Sequence, residues 1–208
     1  MKRTTLFQIA REGWFAVIPL VALVLVAHAL QGWWATLPFV LLLALAVPFF
    51  HDRPRHVAAE PLAIIAPTNG VVLQAHACHD PFLDRPAQKI SMRVAWFGGY
   101  YLRSPVEGTL LELEGVAVTA ISGMPSWIRT DEGDDIVIAV SAGNMLGASP
   151  CHGNYGQRVG QGRCCGVKRY ARMIDVYLPA DTRLMVQENA VVTAGTSVLA
   201  RFRQGRYD

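Results

Sequence analysis

The chain has 208 residues, 52% of them hydrophobic, with a mean hydropathy of +0.27 and a formal net charge of +3. It is too apolar for an ordinary soluble domain and too mixed for a polytopic transporter, so part of it is expected to meet lipid. Its basic residues are 16 arginines and three lysines, scattered along the chain, without the dense basic stripe that a nucleic-acid surface needs.

Residues 1–13 form a leader carrying Lys2, Arg3 and Arg11. Two apolar runs follow, "WFAVIPLVALVLVAHAL" (14–30) and "WWATLPFVLLLALAVPFF" (33–50), of 17 and 18 residues, divided by Gln31-Gly32 and free of Asp, Glu, Lys and Arg. The pattern predicts a transmembrane helical hairpin over 14–50. Each run reaches roughly 26 Å as a helix against a hydrocarbon core of about 30 Å, so full spans and a re-entrant hairpin both stay open. Pro19, Pro38 and Pro48 introduce kinks in either case. A cleaved signal peptide fits less well, because no small-residue cleavage site closes the first run and a second run follows at once. Charge sets the orientation. Lys2, Arg3 and Arg11 flank the entry and Arg53 and Arg55 the exit, while the tip "QGWW" is uncharged, so both termini are expected at the cytoplasmic side of the cytoplasmic membrane. Trp14, Trp33 and Trp34 fall at the two headgroup levels, where tryptophan prefers to sit.

A polar, proline-bearing connector spans 51–61, and residues 62–208 have the length of one domain. Its pattern is β throughout. Short aliphatic or β-branched runs recur at 62–66, 70–75, 89–94, 108–114, 116–122, 135–140, 174–179 and 196–202, each bounded by turn residues. The fold class expected is therefore mainly β, a helical hairpin followed by a small barrel or sandwich. "APTNGVVLQ" (66–74) and "SPVEGTLLE" (104–112) echo each other in a Pro-x-x-Gly turn before a strand. Either they are two unrelated turns or they mark a duplicated half-barrel.

The cysteines are Cys78, Cys151, Cys164 and Cys165. Neighbours such as Cys164 and Cys165 do not readily pair with each other, and a cytoplasmic domain keeps thiols reduced, so no structural disulfide is expected. "HACH" (76–79), "CH" (151–152) and "CC" (164–165) lack zinc-ligand spacing, and no metal is expected.

The order of features now becomes informative: "REGW" before the hairpin, "FFHDRPR" after it, then "APTNG", "LRSPVEGT", "GQRVGQGRCCGVKRYARMIDVYLP" and "VTAGTSVLA". Over nearly its whole length the chain resembles the small, membrane-anchored phosphatidylserine decarboxylases, most specifically across 156–179. The resemblance implies a pyruvoyl-dependent lipid enzyme that cuts itself at a Gly-Ser bond. In that family the serine hydroxyl attacks the preceding carbonyl, the ester undergoes β-elimination, and the new N-terminal pyruvoyl ketone serves as electron sink while phosphatidylserine loses carbon dioxide.

Against that pattern, Phe-Gly-Ser-Arg-Val-Asp reads Tyr170-Ala171-Arg172-Met173-Ile174-Asp175. Arg172 stands at the nucleophile and Ala171 at the glycine. Arginine carries no oxygen or sulfur on its β-carbon, so no pyruvoyl group, and hence no cofactor, is expected. The family's Pro-Ala-Asp-Gly reads Pro67-Thr68-Asn69-Gly70, exchanging an anion for a neutral amide, and its His-Val-Asn-Arg reads Tyr100-Tyr101-Leu102-Arg103, exchanging an imidazole for a phenol. No catalytic residue is expected at Asn69, Tyr100, Ala171 or Arg172. Arg103 and Arg172 are candidate contacts for lipid phosphate, and Asp175 is expected to cap the turn opening its strand. The partners implied are a phospholipid membrane, with phosphatidylserine or a protein as a further partner. Two other readings stay open: a working decarboxylase that uses non-standard residues, and a non-enzymatic hybrid-barrel adaptor. For a covalent carrier, Lys89 and Lys168 lack the expected context.

Overall fold

The computed structural model describes residues 8–9, 14–52, 60–95, 101–113, 125–142, 151, 155–167 and 171–203. The chain divides into two units, 1–54 with 96–100, and 55–95 with 101–208.

In the first unit the two apolar runs become α1 (Trp14–Gln31) and α2 (Trp33–Phe50). Gly32 separates them at φ 73°, and its N–H donates to the His28 carbonyl at 3.2 Å. This is a left-handed end that glycine adopts without a Cβ penalty. Thr36 Oγ1 donates to the Trp33 carbonyl at 2.6 Å in the first turn of α2, and His28 and Trp33 meet edge to face at 5.4 Å. Strands β1 (Gln8–Ile9) and β2 (His51–Asp52) pair antiparallel, bringing the ends of the hairpin together. The hairpin predicted from sequence is therefore present as helices. Its description as transmembrane is corrected: among the described residues no helix is long and apolar enough to cross a membrane.

Among the described residues the second unit has thirteen strands: β3 (Ala63–Ile65), β4 (Gly70–Asp80), β5 (Arg85–Val94), β6 (Tyr101–Arg103), β7 (Gly108–Leu111), β8 (Ser126–Arg129), β9 (Asp135–Ala142), β10 (Arg158–Val159), β11 (Cys164–Val167), β12 (Met173–Pro179), β13 (Arg183–Leu184), β14 (Val191–Val192) and β15 (Val198–Arg201). They form an open eight-stranded sheet of order β10-β7-β8-β9-β12-β5-β4-β14, a three-stranded sheet β13-β15-β3 and a two-stranded sheet β11-β6. The expected mainly β class holds, but the sheets are not closed into a barrel. Among the described residues this unit holds no helix, and the run expected at 116–122 lies outside those residues.

The alternation of each strand decides what it buries. Ile174, Val176 and Leu178 of β12, Ile136 and Ile138 of β9, and Ile90 and Met92 of β5 share one core with Ile64, Leu102 and Leu199 from the small sheets. The opposite face of β9 and β12 carries a second cluster of Val137, Ala139 and Tyr177, covered by Phe82, Leu83 and Trp127.

The Pro-x-x-Gly echo is a true structural repeat. Val72 and Leu110 hold equivalent places: the Val72 N–H donates to Ala190 O at 3.0 Å and the Val72 carbonyl accepts from the Asn189 N–H at 2.8 Å, while the Leu110 N–H donates to Gln157 O at 2.9 Å and the Leu110 carbonyl accepts from the Gly156 N–H at 2.8 Å. Gly70 faces Val192 as Gly108 faces Val159. Gly195 (φ 75°) donates to Ala66 O as Gly162 (φ 71°) donates to Ser104 O. Both small sheets slip register at one residue, Leu199 in β15 and Cys165 in β11. The halves clasp each other through Ile65 N–H to Pro105 O at 3.0 Å and Arg103 N–H to Pro67 O at 2.9 Å. One half is 63–75 with 189–201; the other is 101–113 with 156–167.

Glycine opens each repeated strand because the partner backbone leaves no room. A Cβ would lie 2.1 Å from Arg93 O at Gly70 and 2.3 Å from Arg129 O at Gly108. Neither carbonyl can move without breaking its sheet. Gly70→Ala and Gly108→Ala are each expected to lower stability by about 3 kcal/mol, the upper end for overpacking. Chemical denaturation of the purified protein measures the loss, and a change below about 0.5 kcal/mol would contradict the contact.

Candidate functional site

Three stretches far apart in sequence meet at the end of β5. The Val94 N–H donates to the Arg172 carbonyl at 2.8 Å, tying the residue before β12 into the sheet. One position on, the Ala95 N–H donates to the Asn69 carbonyl at 2.9 Å, drawing in the first Pro-x-x-Gly turn. That turn holds β6 through the Arg103 to Pro67 bond described above. Asn69, Arg103, Ala171 and Arg172 thus lie around one end of the β4-β5-β12 ladder. Tyr100 lies outside the described residues.

The side chains differ in what they can do. Asn69 is half-buried, and its Oδ1 accepts from the Ala194 N–H at 2.8 Å, so the amide fastens the turn to the loop before β15. Ala171 is buried, whereas Arg172 is exposed and its guanidinium has no partner among the described residues. Arg103 is only 7% exposed, and its Nη1 donates to Gly162 O at 3.0 Å. Its guanidinium braces a turn of the second half-repeat. Trp33 and Trp34, at the hairpin tip, are 78% and 86% exposed.

Asn69→Ala tests the fastening directly. The Ala194 N–H is buried and would lose its acceptor, at a cost of about 1–3 kcal/mol. Asn69→Asp keeps an acceptor there and is expected to cost less than Asn69→Ala in the same urea titration.

Asp175 departs from its expected role as a turn cap. It is the third residue of β12 and 4% exposed, and its Oδ2 lies 2.9 Å from Lys89 Nζ on β5. Its Oδ1 is buried with no hydrogen-bond partner. The Lys89 ammonium also sits 5.5 Å from the centre of the Tyr177 ring. Burial alone works against the ammonium, but the hydrogen bond and charge of Asp175 outweigh it, and the lysine is held above its ordinary range. Burial raises the Tyr177 phenol, an effect that Lys89 partly offsets. Sequence reading missed this pair; its signal was a lysine and an aspartate, each inside an otherwise apolar strand.

The expectation of no disulfide is overturned. Cys151 and Cys165, 14 residues apart, are joined, while Cys78 and Cys164 take no part in a disulfide. The spacing gave no sign of it, because the contact is made by topology. Among the described residues no group of three or more His, Cys, Asp and Glu is placed to hold a metal. A cavity of about 250 Å³ lies elsewhere, lined by Glu60, Glu107, Asp131, Glu132 and Arg158 among others, and shares none of the residues gathered around Arg172.

No family model matches the chain. Curated relatives do. It is 31% identical over 207 residues to the phosphatidylserine decarboxylase proenzyme of Burkholderia vietnamiensis, covering 94% of this chain and 97% of that one. With the proenzymes of the same name from Burkholderia mallei and Burkholderia pseudomallei the identity is 32% over 205 residues, covering 92% of this chain and 94% of theirs.

Proposed function

This chain belongs to the phosphatidylserine decarboxylase family, and from that premise we propose that it is a membrane-associated member that cannot process itself and does not decarboxylate. Its place is in phospholipid metabolism. What carries the reading is Arg172. The family's pyruvoyl group arises from a residue whose β-substituent attacks and is then eliminated, and an arginine supplies neither step. The residues at the matched position do not fit the group.

The surroundings agree. Asn69, which stands where the family has an acid, spends its Oδ1 on the Ala194 N–H and holds no proton to give. The Arg172 guanidinium, exposed and without a partner among the described residues, attracts an anion instead, so the site is suited to holding a lipid headgroup through its phosphate rather than to transforming it. Arg172 is the phosphate contact in this reading. Arg103 serves the turn.

Membrane association rests on the first unit. Its two apolar helices leave Leu25, Leu30, Leu41 and Leu45 more than half exposed, and Trp33 and Trp34 stand free at the tip. Such side chains are stable against lipid tails and headgroups, not water. In this reading the hairpin of 14–50 is the membrane anchor and the β domain of 62–208 is cytoplasmic.

The test is to express the whole chain in cells stripped of other phosphatidylserine decarboxylases. An intact 22.8 kDa polypeptide, with no ketone-reactive N-terminus and no phosphatidylethanolamine formed by the membranes, is the expected result. A fragment beginning at Arg172, or conversion of phosphatidylserine that depends on this chain, would overturn the proposal.

A further inference from the structure

We propose that Cys151 and Cys165 form a reversible dithiol site, a redox-responsive staple on the half-repeat that leads into residue 171, rather than a permanent cross-link of the fold. The proposal rests on the cytoplasmic placement of the proposed function for its compartment. Two observations of the fold carry it.

The first is the internal repeat. Cys165 and Leu199 occupy the same slipped position in the two halves, and both are buried, at 6% and 0% exposure. In one half the position is held by packing of a leucine alone. The geometry of the motif therefore does not require a covalent bond, and a buried free thiol packs as a small apolar group. The second is where the bond attaches. The Cys151 N–H donates to Ser126 Oγ at 2.8 Å, so the disulfide fastens β11 to β8 of the large sheet. Without it β11 loses this covalent tie and keeps its ladder to β6, Cys164 facing Arg103, Gly166 facing Leu102 and Val167 facing Tyr101. The proposed compartment adds a conflict. A domain at the cytoplasmic face stands in a reducing environment, where a persisting disulfide is exceptional and a cycling one is expected.

The chemistry balances with an external dithiol. One of its thiolates attacks a sulfur of the Cys151–Cys165 bond, and the other Cys sulfur leaves as a thiolate and takes a proton. The second external thiol then displaces the remaining protein sulfur, so the reagent departs as its own disulfide and both cysteines become thiols. Because both sulfurs belong to buried residues, attack waits on local opening. Reduction loosens β11 against β8, and with it the ladder that β11 makes to β6.

The full-length protein in detergent gives the first measurement. After acid trapping, denaturation and alkylation, the oxidised protein is expected to take two labels, on Cys78 and Cys164, and the dithiothreitol-treated protein four. Amide hydrogen exchange in β6 and β11 should then be about tenfold faster in the reduced form, with β3 and β15 of the other half unchanged. Cys165→Leu, copied from Leu199, should fold and show the fast exchange with or without dithiothreitol; Cys151→Ala serves the same purpose if it does not fold. In cells, trapping should find a mixture that moves toward four labels under dithiothreitol and toward two under diamide. Four labels without reductant, equal exchange in the two forms, or a cellular population fixed at two labels would each overturn the staple. None of these readouts depends on self-cleavage or decarboxylation, so they fail independently of the proposed function.

Discussion

Restoring the cut site alone, with Ala171→Gly and Arg172→Ser, is expected to leave the polypeptide whole or nearly so. The double variant regains a hydroxyl at the matched position, on a backbone that Val94 already holds through the residue 172 carbonyl. It does not regain the groups that move protons. Asn69 remains an amide bonded to Ala194, and Tyr100 remains a phenol where the family has an imidazole, the group suited to proton transfer near neutral pH. General acid–base assistance contributes about 10²–10⁴ in rate. A fourfold variant that adds Asn69→Asp and Tyr100→His should therefore process at least about 10²-fold faster than the double one. Accumulation of the two fragments on a denaturing gel, followed over time, measures both. If the double variant cleaves as fast as the fourfold one, the changes at Asn69 and Tyr100 are neutral for processing.

The second large effect concerns stability. Lys89→Ala would leave the Asp175 carboxylate 4% exposed with neither oxygen bonded to a side chain, and removing one partner of a buried pair costs about 3–5 kcal/mol. Replacing both, Lys89→Met with Asp175→Leu, removes the charge along with the partner and is expected to cost less than Lys89→Ala alone. Urea unfolding of the three proteins decides it. A Lys89→Ala loss under about 1 kcal/mol would mean that water reaches the carboxylate. The pH dependence has a definite direction. The lysine is held above its ordinary range in the folded protein, so its contribution is complete below that range and fades as pH rises through the raised value. Alkali should thus weaken the native protein relative to Lys89→Met/Asp175→Leu, while between pH 6 and 9 the difference between them should stay flat.

Much of this molecule is legible from sequence where a run is long and one pattern rules it. The division of 14–50 at Gln31-Gly32 is such a case, because glycine can take the left-handed φ that ends α1. The runs at 70–75, 89–94, 135–140 and 174–179 all reappear as strands, extended by up to five residues where polar side chains continue a hairpin, as in β4 through His76, Cys78 and Asp80. The short strands are not legible. β10 and β14 have two residues each, too few to carry a period of two, and they are defined by what they pair with. The repeat shows why. "APTNG" and "SPVEG" announce themselves through Pro and Gly, whereas the arms completing each half share little more than a valine and a left-handed glycine at equal spacing, Val192 with Gly195 and Val159 with Gly162.

The candidate site divides in the same way. Arg172 and Asn69 could be named from their positions in a family pattern, and their adjacency needed only the strand ladder. Arg103 could not be placed, since whether a guanidinium meets lipid or braces a turn depends on a carbonyl, that of Gly162, lying 59 residues away. The Cys151–Cys165 bond eluded sequence reading for a related reason: the argument from compartment spoke against it, and the argument from spacing was silent.

The repeat is also nested. The half made of 101–113 and 156–167 lies wholly inside the half made of 63–75 and 189–201, so a ribosome completes the inner unit before the last arm of the outer one has been made. The inner unit can close during synthesis, and the outer one must wait for residues 189–201. Premature termination ahead of Asn189 would thus not trim a dispensable tail. It would leave Gly70 and the strand behind it with one edge bare, a surface open to pairing with another molecule.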